Sequence, residues 1–138
     1  MKVILILGMH RSGTSLVARS LAEAGAYAGE REAMLSAQSD NPLGFYEHAD
    51  VVAANDALLA AEEATWFNPP AVPVKAQPGD SAPGPLRRLL QQAPVAASVL
   101  LKDPRLCLTW PSWAGQGTLL VYVYRNPLAV ADSLRRRH

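Results

Sequence analysis

Five apolar residues at positions 3–7 run into Gly8-Met9-His10-Arg11-Ser12-Gly13-Thr14-Ser15, and an amphipathic segment follows at positions 16–24. This order restricts the chain to a strand, a tight glycine-bearing turn and a helix start. Such a turn is an anion cradle, because glycine lets successive amide N–H groups and the positive end of the helix dipole converge on one phosphate. Arg11 supplies a cation within the turn, with Ser12, Gly13, Thr14 and Ser15 beside it.

The spacing of Gly8 and Gly13 is that of a Gly-x-x-x-x-Gly phosphate-binding loop, but Thr14 stands where a nucleotide triphosphatase places lysine. The cation comes earlier, as Arg11. That shift points to a different phosphate-bearing donor.

At 138 residues and 49% hydrophobic content, the chain suits one domain, residues 1–138, that buries about two thirds of its unfolded surface. A formal charge of +1 gives no overall field toward nucleic acid or anionic lipid, so anion recognition must be local. The single cysteine, Cys107, excludes an internal disulfide and fits a reducing, cytoplasmic setting. Met1-Lys2 and the apolar run are too short for a signal peptide, and no stretch reaches the roughly 20 apolar residues of a membrane span.

Apolar spacing predicts a first helix over 16–24, with Leu16, Ser20, Leu21 and Ala24 on one face and Gly25 as its stop. After the turn Asn41-Pro42-Leu43-Gly44-Phe45-Tyr46-Glu47-His48, an alanine-rich helix is predicted over about 49–64, burying Val51, Val52, Leu58 and Leu59. Positions 68–85 are proline-rich and aperiodic, which predicts a long loop, and Pro85 can open a short helix through Leu90. The runs at 97–101 and 118–124 read as buried strands. Asn126 can cap, and Pro127 can start, a last helix with Leu128, Ala131 and Leu134 inward. Alternating strands and helices predict an α/β fold with a parallel sheet.

In an open parallel sheet, ligands bind beyond the carboxyl ends of the strands, so Arg11, Asp103 and Arg125 are expected to face one crevice. Ser133 lies about two turns into the last helix, placed to share a phosphate with Arg125.

His10-Arg11-Ser12-Gly13-Thr14-Ser15, taken with Tyr124-Arg125-Asn126-Pro127 and Ser133, resembles the P-loop sulfotransferases. The segments Asn41 to Glu47 and Leu101-Lys102-Asp103-Pro104-Arg105 resemble parts of bacterial members. The resemblance implies a parallel-sheet fold like that of P-loop NTPases, and 3′-phosphoadenosine 5′-phosphosulfate (PAPS) as donor. It assigns the 5′-phosphosulfate to the first loop and the 3′-phosphate to Arg125 and Ser133. The family's domain continues well past this helix, so the chain is expected to be incomplete at its C-terminus. A sheet cut there exposes an edge suited to self-association.

Sulfuryl transfer is an in-line displacement in which charge builds on the leaving oxygen, and the resemblance, which places a basic residue at Arg11, assigns Arg11 to that oxygen. The sulfuryl group carries less negative charge than a phosphoryl group, so no metal is expected. A hydroxyl or amine acceptor of unknown identity needs a base, and the candidates are Glu47, Asp103, Glu30, His10 and His48. Glu47 ranks first, since the resemblance places an acidic residue there. Trp66, Trp110 and Trp113 read as core or loop packing in preference to acceptor stacking. Two other readings stay open. One is an atypical P-loop nucleotide kinase or NTPase, with Ser15 holding magnesium and Asp103 as a second metal-site acid. The other is a truncated, non-catalytic phosphate-binding remnant.

Overall fold

β1 (Val3–Leu7) is apolar at every position and buried at every position. Such a strand needs cover on both faces. It lies in the middle of a parallel sheet, between β2 (Val99–Lys102) and β3 (Thr118–Tyr122), in the order β2-β1-β3. Val3 pairs with Val99 on one side and Thr118 on the other, while Ile6 pairs with Lys102 and Leu7 with Tyr122. The structure, a computed structural model, describes residues 2–37, 44–74 and 83–136.

Side chains alternate across a strand, so β1 feeds two cores. Val3, Leu5 and Leu7 join Val99 and Leu101 against Val51 of α2 (Ala49–Ala61), Leu86 and Leu89 of α3 (Gly84–Gln92), Leu106 of α4 (Leu106–Thr109) and Trp113. Ile4, Ile6 and Leu100 face α1 (Thr14–Glu23), which meets them through Ala18, Val17, Leu21 and Ala22. The chain is thus an α/β fold with helices on both faces of a small parallel sheet.

Several expectations change in detail. The first helix starts two residues early and turns Leu16 outward, because the small Ala18 is the residue that presses on the sheet. The second helix ends at Ala61, where Glu63 takes a left-handed φ of 53°. The predicted loop at 68–85 shows no helix or strand over 68–74, its 75–82 portion lies outside the described residues, and α3 already begins at Gly84. Residues 41–43 of the predicted turn also lie outside them.

The strand predicted to be buried over 118–124 is the largest correction. β3 ends at Tyr122 and pairs with β1 alone among the described residues, leaving Leu119, Leu120 and Tyr122 exposed. Its apolar pattern asks for cover that the described elements supply only on the β1 side. The outer edge of β2, by contrast, is met by Tyr27, whose N–H donates to the Ser98 carbonyl at 2.8 Å and whose carbonyl accepts from the Leu100 N–H at 2.8 Å.

α5 (Pro127–Arg135) begins as expected, with the Asn126 side chain accepting from the Leu128 N–H at 2.9 Å. Its buried residue is Val130, whereas Leu128 and Ala131 are exposed and Leu134 is half-buried. No helix among the described residues is long and apolar enough to cross a membrane.

Gly8 allows β1 and β3 to close over the loop. A Cβ there would stand 2.6 Å from Thr14 Cγ2 and 2.8 Å from the Val123 carbonyl oxygen, and the second contact is backbone. Gly8→Ala is therefore expected to cost about 1–3 kcal/mol. Urea unfolding should show this as a lower midpoint at unchanged slope; an unchanged midpoint would show that β3 yields without cost.

Candidate active site

All three strands point their carboxyl ends the same way, and the chain leaves β1 to one side for β2 and returns past it for β3. A crevice opens at such a reversal. Here it is a cleft of about 290 Å³ between the β1–α1 loop, the chain at Phe45 and Glu47, the end of β2, and Arg125.

The β1–α1 loop is bent by left-handed backbone at two positions, Gly13 with φ 94° and Arg11 with φ 66°. A non-glycine residue in this region costs about 1–2 kcal/mol. The conformation is tied down from outside the loop. Arg125 Nη1 donates to the Arg11 carbonyl at 2.8 Å, and Arg11 Nε donates to Ser133 Oγ at 3.0 Å. These contacts join the first loop to Arg125, just before α5, and to Ser133, in its last turn, across more than a hundred residues of sequence. Two guanidinium groups and the N-terminus of α1 thus meet in one cleft, a geometry suited to a polyanion.

Gly13, Thr14 and Ser15 also line the cleft, Thr14 almost wholly buried and Ser15 Oγ donating to the Phe45 carbonyl at 3.3 Å. Ser12 is half-buried in the loop, its N–H donating to the Met9 carbonyl at 3.1 Å, and it is not among the residues that line the cleft.

The second wall of the cleft is an acid and a base in contact. Lys102 Nζ donates to Glu47 Oε1 at 2.5 Å, with both side chains buried. Burial pushes the Glu47 carboxyl above its ordinary range, and the adjacent Lys102 cation opposes this only in part. Tyr46, just before it, has a left-handed φ of 55°, so this side of the cleft also holds strained backbone.

Asp103 is placed differently from Glu47. It is fully buried, and it does not line the cleft. Asn55 Nδ2 donates to its Oδ2 at 2.8 Å, while the Arg105 N–H and Nη1 each donate to its Oδ1 at 3.0 Å. Its chemistry is thereby committed to holding α2 against the turn after β2. Of the alternative bases, His10 lines the cleft. His48 caps α2, its Nδ1 accepting from the Asp50 N–H at 3.2 Å, and burial lowers its pKa. Glu30 accepts from the Tyr27 hydroxyl at 3.0 Å and, with His48, borders a separate hollow.

Lys102 is the site residue that sequence reasoning missed, since it entered only as part of the segment from Leu101 to Arg105 and was given no role of its own. An apolar run closed by lysine at the carboxyl end of a parallel strand was the available signal. Trp113 packs as expected, and its Nε1 donates to Asn55 Oδ1 at 2.7 Å. Trp66 does not pack in the core: it is 41% exposed.

Comparison of the chain with protein-family models, with curated proteins and with solved structures gives no match in any of the three.

Proposed function

We propose that the cleft is a sulfuryl-transfer site that uses PAPS as donor and a hydroxyl or amine as acceptor. The observation that carries this reading is the Arg11–Ser133 contact, which sets the two predicted phosphate-binding segments side by side. Support comes also from the sequence resemblance to P-loop sulfotransferases and from the Glu47–Lys102 pair in the same cleft.

In this reading the 5′-phosphosulfate lies against the N-terminus of α1 and Arg11, and Arg125 and Ser133 take the 3′-phosphate. The acceptor oxygen or nitrogen forms a bond to sulfur as the bridging S–O bond breaks. The electron pair stays on the 5′-phosphate oxygen, next to Arg11, and adenosine 3′,5′-diphosphate leaves. The acceptor proton passes to the Glu47 carboxylate, which Lys102 holds in place.

The kinase reading draws less support from the geometry. It needs Asp103 as a metal-site acid, yet both Asp103 oxygens are engaged by Asn55 and Arg105 outside the cleft.

Calorimetric titration with adenosine 3′,5′-diphosphate, against AMP and against ATP with magnesium, tests the proposal. Preference for the 3′,5′-diphosphate without metal is expected, and preference for ATP with magnesium would move the assignment to a kinase. Arg125→Ala should weaken the 3′,5′-diphosphate by about 1.5–3 kcal/mol while leaving AMP little changed. Equal losses for both nucleotides would remove Arg125 from the 3′-phosphate.

A further inference from the structure

The side chain that caps α2 is a histidine, and a histidine can serve there in only one of its charge states. His48 Nδ1 accepts from the Asp50 N–H at 3.2 Å, and the His48 carbonyl accepts from the Val51 and Val52 N–H groups at 3.0 Å. A neutral imidazole has one bare nitrogen, whereas the cation carries N–H on both and accepts nothing. The bond to Asp50 therefore fixes the proton on Nε2, and it exists only while the ring is neutral.

The same residue is held against a second segment, the chain at 29–35. Met34 and His48 form an isolated antiparallel bridge, and the Leu35 N–H donates to the Glu47 carbonyl at 2.8 Å. Gly29 lies so close to the ring that a Cβ there would stand 2.8 Å from His48 Cδ2. His48 also lines a hollow of about 160 Å³, and the charged groups that share it among the described residues come from three elements. They are Glu30 from the segment over the ring, Asp50 from α2 and Arg88 from α3. Glu30 accepts from the Tyr27 hydroxyl, and Asp50 accepts from Arg88 Nη2 at 2.5 Å, so each carboxylate already has a donor. Burial resists a charge on His48 most, Asp50 favours it and Arg88 opposes it, so the net direction is downward.

We propose that His48 is a proton-operated latch: neutral, it clasps the start of α2 to the segment 29–35, and protonated, it releases both and loosens the backbone that carries Glu47. No nucleotide or acceptor enters this inference, so it stands apart from the sulfuryl-transfer reading. A cation at this position lacks the cap bond, lies at the positive end of the α2 dipole and is half-buried. The unfolded chain takes up this proton more readily than the folded chain. The stability that neutral His48 supplies is thus complete above the unfolded value of about 6.5, and it is lost as pH falls from there toward the folded value.

Amide hydrogen exchange and an NMR titration of the imidazole in the full chain test the latch. Glu47 titrates with the opposite sign, so wild type is compared at each pH with His48→Asn, which keeps Glu47 and caps without titrating. From about pH 8 to about pH 5.5, protection at Leu35 and Asp50 is expected to fall about fivefold further in wild type than in His48→Asn, the loss of one cap. These two amides should exchange faster than those of β1 and respond little to low urea, the mark of a local opening. The imidazole should titrate below the ordinary histidine value, with Nδ1 bare in the neutral ring. An identical pH response in the two proteins would overturn the latch. So would exchange of Leu35 and Asp50 at the rate and urea dependence of β1, because the two segments would then part only when the whole chain unfolds. Should His48→Asn fail to fold, the wild-type titration still decides: a normal or raised pKa, or a proton on Nδ1, overturns the proposal.

Discussion

Asn55→Leu is expected to lower the stability of the chain by about 3–5 kcal/mol, although leucine fills nearly the same space. Asn55 is fully buried in the middle of α2. Its Nδ2 donates to Asp103, and its Oδ1 accepts from Thr109 Oγ1 at 2.6 Å and from Trp113 Nε1 at 2.7 Å. Leucine removes one donor to a buried carboxylate and the acceptor of Trp113 Nε1, while Thr109 Oγ1 keeps the Arg105 carbonyl as acceptor at 3.2 Å. Each unsatisfied group costs about 1–3 kcal/mol, and a charged one costs more. Arg105 continues to hold the other Asp103 oxygen, which limits the loss. Urea unfolding with tryptophan fluorescence should show a large drop in midpoint at constant slope. A loss below about 1 kcal/mol would mean that this network does not join α2 to the turn after β2. The network also matters for the cleft, because Glu47 lies two residues before the start of α2 and lines the cleft.

How much of this was legible in the sequence depended on whether a feature is local. The run at 3–7 followed by two glycines is a local signal, and it places β1 and the loop, with α1 within two residues of its observed start. Asn126 and Pro127 are likewise local, and α5 starts where they put it. Burial at long range is different. An apolar run such as 118–124 states that a strand prefers cover, yet only the sheet order shows that β3 has a neighbour on one side. Leu16 and Leu128 misled for a related reason: each lies on an amphipathic stripe, but close packing brought the smaller Ala18 and Val130 inward instead.

The candidate site follows the same division. Arg11, Arg125 and Ser133 were found from loop and strand-end placement, and the fold brings them together. Asp103 and Glu47 were harder to tell apart, since both are carboxylates near turns. The difference lies in Asn55, a lone amide in an alanine-rich helix. No periodicity reveals that it reaches Asp103, and its reach is what takes Asp103 out of the cleft.

On the sulfuryl-transfer reading, Glu47→Gln is expected to reduce kcat by about 10²–10⁴-fold, the range for losing a positioned general base. Nucleotide affinity should change little, since Arg11, Arg125 and Ser133 are untouched. The pH profile adds a check that a purely structural role would not meet. Burial raises the Glu47 pKa, so the acid limb of kcat/KM should lie above the ordinary carboxylate range. Lys102→Met removes the cation that opposes this shift, and the limb should move to still higher pH. The same shift has a consequence for stability. A raised pKa means that the folded chain holds this proton more tightly than the unfolded chain does. Stability from this group is therefore greatest below its unfolded pKa, and it declines as pH rises toward the folded value. Lys102→Met widens that window and leaves a buried carboxylate without its cation, at a cost of about 3–5 kcal/mol near neutral pH. The variant should regain part of the loss on acidification, because protonated Glu47 no longer needs a cation. Wild-type turnover in Glu47→Gln would remove it as the base. An acid limb unmoved by Lys102→Met would show instead that the pair holds the cleft together without governing the proton.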